Sequence, residues 1–305
     1  MPRCACIDIG SNTTRLLVVE GDGARPRELC SDREFTRLGS ACGADGAIGA
    51  QKIAEVCAVV ARQVAVARAL EVAQLRIVAT SAVRQAADAD ALSAAIAACC
   101  GVQLEILSGA EEARLAFGGA IGMLSRPPAG QLGVVDVGGG STELVIGSAT
   151  GGVTWSVSLP LGSSVVTDSH LRSDPPSAIE LARLRETIED AFSMLRAPQP
   201  AVAYAVGGSA TSLQRLLGCE FDHEALSRGL QTLISRPAAQ VALSLGLHAE
   251  RARLLPAGLL LLDAASRALN APLRLAGGGL REGVVLEHLQ MRAASHRNDT
   301  PEGVA

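Results

Sequence analysis

A short segment of this chain occurs twice without a gap. The first copy runs from Asp8 to Val18 as DIGSNTTRLLV, and the second runs from Asp136 to Ile146 as DVGGGSTELVI. Each copy follows an apolar strand-like run, places an aspartate at the strand end, turns through small and hydroxyl residues, and leaves along another apolar strand. Such turns let backbone N–H groups and hydroxyls approach an anion closely. The repeat predicts two phosphate-binding hairpins on two lobes that face one phosphate-bearing ligand.

The composition indicates a globular chain and argues against a nucleic-acid partner. With 305 residues the chain is long enough for two domains, and 48% apolar against 19% charged residues is typical of a folded protein. Aromatic residues make up only 2%, too few for a base-stacking surface. A formal net charge of −4 also disfavours broad binding to a polyanion. A phosphate ligand must therefore meet a local basic site.

The cysteines and the apolar runs predict a cytoplasmic protein with no membrane partner. The eight cysteines show no C-x-x-C pair, so we expect buried free thiols in a reducing compartment. The first residues lead straight into a strand without a signal-like apolar stretch. The apolar run 254–262 is too short to cross a bilayer. Apolar helices such as 254–265 leave core packing and a homodimer interface as alternatives.

Strand and helix patterns alternate in both halves, which predicts an α/β fold. In the first half we expect strands at 3–9, 14–20, 28–37, 75–79 and 102–107, and helices at 47–69, 86–100 and 110–124. In the second half we expect strands at 132–136, 143–147, 153–158, 201–206 and 272–276, and helices at 176–195, 222–246, 250–269 and 280–291, with Ser173-Asp174 capping the helix at 176. The Pro-rich break at 126–130 predicts domains 1–126 and 127–292, followed by a polar tail at 293–305.

The two hairpins supply most of the candidate site. Backbone amides with the side chains of Ser11, Asn12 and Thr13 are predicted to bind one phosphate, and Gly138, Gly139, Gly140, Ser141 and Thr142 are predicted to bind the next. Three carboxylates, Asp8, Asp136 and Glu143, should face the same cleft. Because they repel one another unless a cation lies among them, Mg²⁺ is the expected metal, with Mn²⁺ and an added monovalent cation left open.

Further clusters follow other strands of the pattern. Glu111 and Glu112 begin a helix, where they are either ordinary capping residues or the source of one general base for an attacking water. Arg84 follows a strand and, if it points inward, suits phosphate oxygens. A third glycine-rich turn at Gly207, Gly208 and Ser209 opens a later helix. The only lysine is Lys52, so no P-loop motif occurs.

These segments together resemble the Ppx/GppA phosphatase family, the exopolyphosphatases and guanosine pentaphosphate phosphohydrolases. The resemblance rests on DIGSNT at 8–13, TSAVR at 80–84, SGAEEA at 108–113, DVGGGSTE at 136–143, VGGSAT at 206–211 and GLREG at 279–283. It implies two actin-like domains of ribonuclease H-like fold, members of the acetate kinase, sugar kinase, Hsp70 and actin superfamily, that face each other across a cleft. It also implies Glu112 as the catalytic base, Asp136 and Glu143 as metal ligands, and Ser11, Asn12, Thr13 and Arg84, with the amides of Gly139, Gly140 and Ser141, as phosphate contacts.

The resemblance implies Mg²⁺-dependent release of terminal phosphate from inorganic polyphosphate, with guanosine pentaphosphate as the alternative substrate. Two departures bear on that choice. The family usually carries an arginine a few residues after a Leu-Pro-Leu-Gly segment, whereas residues 163–166 here are SSVV. The chain also resembles the short two-domain members, which makes shorter phosphate chains plausible substrates. A polyphosphate:nucleotide phosphotransferase using the Gly207 turn, and a non-catalytic sensor of polyphosphate or an alarmone, are further alternatives.

Overall fold

The chain forms two β-sheets with helices packed around them. The computed structural model describes residues 1–21, 26–41 and 45–298, with residues 292–298 described by their backbone alone. The elements of the first half are β1 (Arg3–Ile9), β2 (Thr14–Glu20), β3 (Arg27–Glu34), α1 (Leu38–Ala41), α2 (Ala50–Ala69), β4 (Gln74–Ala79), α3 (Ser81–Arg84), α4 (Ala89–Cys100), β5 (Leu104–Ile106) and α5 (Gly109–Gly122). Those of the second half are β6 (Leu132–Val137), β7 (Thr142–Ser148), β8 (Gly152–Leu159), α6 (Ser163–His170), α7 (Ala178–Ser193), β9 (Val202–Val206), α8 (Gly207–Leu217), β10 (Glu220–Phe221), α9 (His223–Ile234), α10 (Ala238–Leu245), α11 (Ala249–Leu269), β11 (Leu273–Leu275) and α12 (Leu280–Asn298).

The two sheets share one topology. The first has the strand order β3-β2-β1-β4-β5, and the second has β8-β7-β6-β9-β11 with β10 added at its edge. In both, three consecutive strands pair antiparallel, and the first of the three then pairs parallel with a later strand. This repeated arrangement is the one expected of two ribonuclease H-like, actin-like domains. The predicted α/β fold class is therefore confirmed.

The two repeated hairpins have the same backbone geometry. In the first, Gly10 N donates to Thr13 O at 3.0 Å, and in the second Gly138 N donates to Ser141 O, also at 3.0 Å. The registers also match, since Ile9 pairs with Thr14 and Val137 pairs with Thr142. The sequence repeat is thus a structural repeat at the ends of β1 and β6.

Two helices cross between the sheets. Residues of α5, among them Phe117 and Ile121, pack on the second sheet against Val134 and Val145. Residues of α12, among them Leu280 and Val284, pack on the first sheet in a cluster with Cys4, Cys6 and Val78. Each of these helices therefore packs on the sheet built from the other half of the chain. The predicted boundary after residue 126 falls between the strands of the two sheets and stays a prediction.

Several sequence-based expectations need correction. The helix expected at 222–246 is two helices, because Pro237 interrupts it and stands at the N-terminus of α10. The cap of α7 is Ser177, which forms a capping box with Glu180, rather than Ser173-Asp174. Short helices α1, α3 and α6 and the edge strand β10 were not expected. The last helix, expected at 280–291, continues to Asn298, whereas the predicted tail at 293–305 stays a prediction, and residues 299–305 lie outside the described chain.

The thiols only partly match the expectation of burial. Cys4, Cys6 and Cys100 are buried, whereas Cys99 and Cys219 are exposed, and none of the cysteines in the described ranges forms a disulfide bond. Cys42 lies outside those ranges. Within the same residues, the structure contains no helix of the length and apolarity that a bilayer crossing requires.

Candidate active site

The two hairpins meet face to face in a cleft between the sheets. A Cβ added to Gly140 would lie 2.2 Å from Ser11 Oγ, and one added to Gly139 would lie 3.3 Å from Ser11 Cβ. The glycines therefore allow the second hairpin to approach the first closely. Residues that line the cavity from the first half are Asp8, Gly10, Ser11, Asn12, Thr13, Arg15, Thr80, Ser81 and Glu112, and those from the second half are Asp136, Val137, Gly138, Gly139, Gly140, Ser141, Glu143, Gly207, Gly208, Arg251 and Leu280. The hairpin residues predicted from the sequence are brought together here.

One register position distinguishes the two hairpins. Asp8 is paired across the strands with Arg15, whose Nη2 donates to Asp8 Oδ2 at 2.8 Å. The equivalent pair in the second hairpin is Asp136 and Glu143, two acids directly opposite each other. Opposite-charge partners stabilise such a cross-strand pair, and like charges destabilise it. The second hairpin therefore places two acids opposite each other, whereas the acid of the first hairpin forms an ion pair with Arg15.

Burial and mutual repulsion disfavour the charged form of that acidic pair. Desolvation raises the pKa of Asp136 to about 6, with the charge of Asp8 adding to the effect. Desolvation and then the charge of Asp136 raise the pKa of Glu143 to about 7. Ser158 Oγ donates to Glu143 Oε1 at 2.7 Å and fixes that carboxylate. Without a cation, this pair binds protons more readily than isolated carboxylates do.

The donors in this cleft fit a hard cation that shares its coordination with a substrate. No group of three His, Cys, Asp or Glu side chains among the described residues is placed to hold a metal ion. Two carboxylates plus phosphate oxygens and waters are, however, the usual environment of Mg²⁺. Asp136 and Glu143 form such a pair. Asp8 has one oxygen bound to Arg15, whereas its Oδ1 is buried without a partner among the described residues, so its predicted role as a third ligand stays a prediction.

Glu112 lies inside the cleft at the start of α5, where Ser108 Oγ caps the helix by accepting from Glu111 N at 3.2 Å. Glu112 is 8% exposed, and desolvation followed by the charge of Glu143 raises its pKa to about 9. Glu111 instead forms an outward ion pair with Arg114 at 2.8 Å. The structure therefore places Glu112, and not its neighbour, against the acidic pair.

Arg84 lies beside Glu112, at the end of α3. Its Nη1 donates to Glu112 Oε2 at 3.0 Å and to Leu107 O at 2.6 Å. Arg84 is directed inward, as expected, but it is not among the residues that line the cavity. Its geometry is that of a group that orients Glu112 and partly offsets its desolvation.

The third glycine-rich turn reaches the same cleft. Gly207 has φ of +83°, and a Cβ there would lie 2.2 Å from Asp136 Oδ1. Gly207 and Gly208 line the cavity, whereas Ser209 is buried against Gly258 of α11. Ser209 thus packs against α11 outside the lining of this cavity, and its predicted phosphate contact stays a prediction.

Thr142 is another predicted phosphate contact whose role stays a prediction. Its hydroxyl donates to Leu161 O at 2.6 Å, and Thr142 lies outside the lining of the cavity. The bond ties β7 to the segment that precedes α6. The Thr142 side chain thus fixes the second hairpin to the segment before α6.

Two arginines of the cavity were not predicted. Arg15 occupies the position in the first hairpin that Glu143 occupies in the second, so the repeat itself contained the signal. Arg251 lies in the first turn of the long helix α11. It packs against Gly208, where an added Cβ would be 2.9 Å from Arg251 Nη1. Burial, and then the charges of Arg15 and Arg33, lower the pKa of Arg251 to about 10. Its Nε finds no hydrogen-bond partner within the described chain, which suits it to an anion.

The cleft is narrow. Its cavity measures about 60 Å³, room for a few waters or about one phosphate group. A larger cavity of about 620 Å³ lies between α7, α9 and α11, away from both hairpins. Convergence of glycine turns, acids and arginines, rather than volume, identifies the candidate site.

Comparisons with known proteins show the family of this chain. A model of the Ppx/GppA phosphatase family matches residues 17–292. Exopolyphosphatase 1 of Mycobacterium leprae is 32% identical over 309 residues, covering 95% of this chain and 91% of that protein. Exopolyphosphatase 2 of Mycobacterium tuberculosis is 30% identical over 295 residues, covering 88% of this chain and 92% of that protein. The crystal structure of the Aquifex aeolicus Ppx/GppA family member matches with a TM-score of 0.82 at 25% identity, covering 95% of this chain and 98% of that chain.

Proposed function

Because this chain belongs to the Ppx/GppA phosphatase family, we propose that it is an exopolyphosphatase that hydrolyses the terminal phosphoanhydride bond of inorganic polyphosphate. The observation that supports this most directly is the buried Glu112 between two facing phosphate-binding hairpins, next to the acidic pair Asp136 and Glu143. We propose polyphosphate rather than guanosine pentaphosphate as the substrate, because the similar proteins described above are named exopolyphosphatases.

In the proposed reaction, the hairpins bind the terminal phosphate and Glu112 activates water. The oxygens of the terminal phosphate would accept hydrogen bonds from the backbone amides of Gly139, Gly140 and Ser141 and from the side chains of Ser11 and Asn12. The Glu112 carboxylate takes a proton from water as the water oxygen attacks phosphorus. The P–O bond to the next phosphate then breaks, and the leaving chain keeps the bridging oxygen and its electron pair. Arg84 keeps Glu112 oriented.

We further propose that Mg²⁺ is held by Asp136 and Glu143, with Mn²⁺ or an added monovalent cation as alternatives. When bound, the metal ion supplies positive charge to phosphoryl oxygens. Neutralising Glu143 and Asp136 in this way removes two of the three causes that raise the pKa of Glu112, and leaves desolvation. The pKa of Glu112 then falls, which favours the carboxylate form that can accept a proton from water.

A substitution at Glu112 tests the function. We expect Glu112→Gln to lower phosphate release by roughly 10²–10⁴-fold, because the amide cannot accept the proton. The matched control is Glu111→Gln, since Glu111 is adjacent in sequence but pairs outward with Arg114. Phosphate release is measured with Mg²⁺ from tripolyphosphate, long-chain polyphosphate and guanosine pentaphosphate in parallel, and folding is checked by circular dichroism.

The same assay separates the alternatives. Fast turnover of guanosine pentaphosphate alone would make the protein a 5′-phosphohydrolase of that alarmone. Transfer of labelled phosphate to added ADP would indicate a phosphotransferase, and tight binding without release would indicate a sensor. Wild-type activity in Glu112→Gln would reject the assigned base. A cytoplasmic location and a homodimer are also proposed, to be tested by cell fractionation and sedimentation.

A further inference from the structure

A second cavity lies directly beside the catalytic cleft. It measures about 570 Å³, within the range of small-ligand sites, and is bounded by α1 on one side and by α6 and the start of α11 on the other. Its lining includes Arg37, Asp168, Glu250 and Arg253. We call it the second chamber.

The second chamber and the catalytic cleft share a wall. Ser11 and Asn12 line both cavities. Gly139 lies against that wall, since its added Cβ would be 3.1 Å from Ser164 Oγ and 3.4 Å from Asn12 Cβ. Residues 11, 12, 139 and 164 thus form a seam between the lobes. A chain that extends from the terminal phosphate toward this seam enters the second chamber.

Polar groups at the seam lack partners. Asn12 Nδ2 and Ser164 Oγ are buried, and neither finds a hydrogen-bond partner in the described ranges of the chain. Ser164 is only 8% exposed. Buried donors without partners cost free energy unless a ligand or a water satisfies them. An amide and a hydroxyl suit the oxygens of a phosphate that crosses from one cavity to the other.

The arginines of the second chamber can exchange their carboxylate partners for a phosphate. Arg37 pairs with Glu250 at 3.2 Å, and Arg253 pairs with Asp168 at 2.9 Å. All four side chains are more than a third exposed, and such ion pairs contribute little to stability. Each arginine can therefore leave its carboxylate for a phosphate, whose oxygens match the guanidinium fork.

We propose that the second chamber binds the part of the phosphate chain that lies beyond the cleaved bond, with Arg253 as a residue that determines preference for longer chains. This rests on the proposed hydrolysis of polyphosphate. Arg253 is the better of the two arginines to substitute, because its ion pair with Asp168 lies within the second half of the chain. The ion pair of Arg37 with Glu250 joins the two halves, so a substitution there would also affect their association.

The experiment compares long-chain polyphosphate with tripolyphosphate. For Arg253→Ala, we expect the ratio of KM for the long chain to KM for tripolyphosphate to rise roughly tenfold, the effect of one charge-assisted hydrogen bond. For Asp168→Asn, we expect the same ratio to fall, because the carboxylate that competes for Arg253 is removed. If Arg253 contributed only to folding, the two substitutions would not change the KM ratio in opposite directions. Arg228→Ala, an exposed arginine on α9 paired with Glu224, should keep the wild-type ratio.

Outcomes for the second chamber and for the proposed function are distinguishable. Binding of both ligands to the Glu112→Gln protein, measured by calorimetry, reports on the chamber without turnover. There, adding Arg253→Ala should weaken binding of the long chain relative to tripolyphosphate. An unchanged ratio in both assays would overturn the second-chamber proposal while leaving hydrolysis intact. Absence of phosphate release from wild-type protein would instead reject the function.

Discussion

Gly207 shows how one residue fixes the position of a candidate metal ligand. Its φ of +83° lies in the region that favours glycine, and its missing Cβ leaves the space beside Asp136 Oδ1 free. Any side chain at this position must both strain the backbone and displace the carboxylate. Backbone strain acts on stability, whereas displacement of Asp136 acts on the proposed chemistry.

We therefore expect Gly207→Ala to lose stability and phosphate release together. The strain of an alanine at positive φ costs about 1–2 kcal/mol. The Asp136 carboxylate can rotate away from the new methyl group, so the protein should still fold, but with at least a roughly tenfold loss of kcat. Urea unfolding and phosphate release measure the two effects.

Gly130→Ala is the control that separates them. Gly130 has φ of +89°, and an added Cβ there would have no atom within 4 Å. We expect a similar loss of stability with wild-type kcat. If Gly207→Ala also kept wild-type kcat, the position of Asp136 would not matter for the reaction.

At the level of residues, the repeated hairpins could be recognised from the sequence, but which of their charged side chains form ion pairs could not. The carboxylate set Asp8, Asp136 and Glu143 was predicted from residue type alone. Strand register makes Arg15 the partner of Asp8, and only pairing across strands reveals that this acid forms an ion pair. Arg251 was missed for another reason. It is separated from the hairpins by more than a hundred residues and carries no local motif.

Among the secondary-structure elements, α5 and α12 cross at very short range. A Cβ on Gly119 would lie 1.9 Å from Gly279 O, and one on Gly283 would lie 1.9 Å from Leu115 O. Backbone therefore meets backbone at this crossing. The strands were largely predictable because their apolar runs are continuous. The crossing was not, because it depends on which sheet each helix packs against.

Adjacent glycines in α5 should respond in opposite directions to alanine. Gly119→Ala places a methyl group against the backbone of residue 279, and we expect a loss of about 1–3 kcal/mol or more. Gly118 is exposed and has no atom within 4 Å of an added Cβ, so Gly118→Ala should raise stability by up to about 1 kcal/mol. Thermal and urea unfolding of both variants measure the difference. Equal effects at the two positions would mean that α5 and α12 do not cross this tightly in solution.

For the whole molecule, we expect substrate entry to involve separation of the two halves, because the candidate site between them is small. A cavity of about 60 Å³ has room for about one phosphate group. Contacts that join the halves near the site must therefore break for substrate entry and form again for the reaction. One such contact is the stacking of Phe35, between β3 and α1, on His248, which caps α11, with ring centroids 4.6 Å apart.

Phe35→Ala should lower the population of the closed state and leave each half folded. An aromatic pair contributes about 0.5–1.5 kcal/mol beyond its buried area, so we expect kcat to fall roughly two- to tenfold. The fall should be similar for tripolyphosphate and long-chain polyphosphate, because closure precedes hydrolysis of either. Steady-state kinetics with both substrates provides the measurement. Leu243→Ala, at a position 85% exposed on α10, is the control and should keep wild-type kcat. A loss of thermal stability with unchanged kcat would show instead that the stack holds one rigid body together and plays no part in closure.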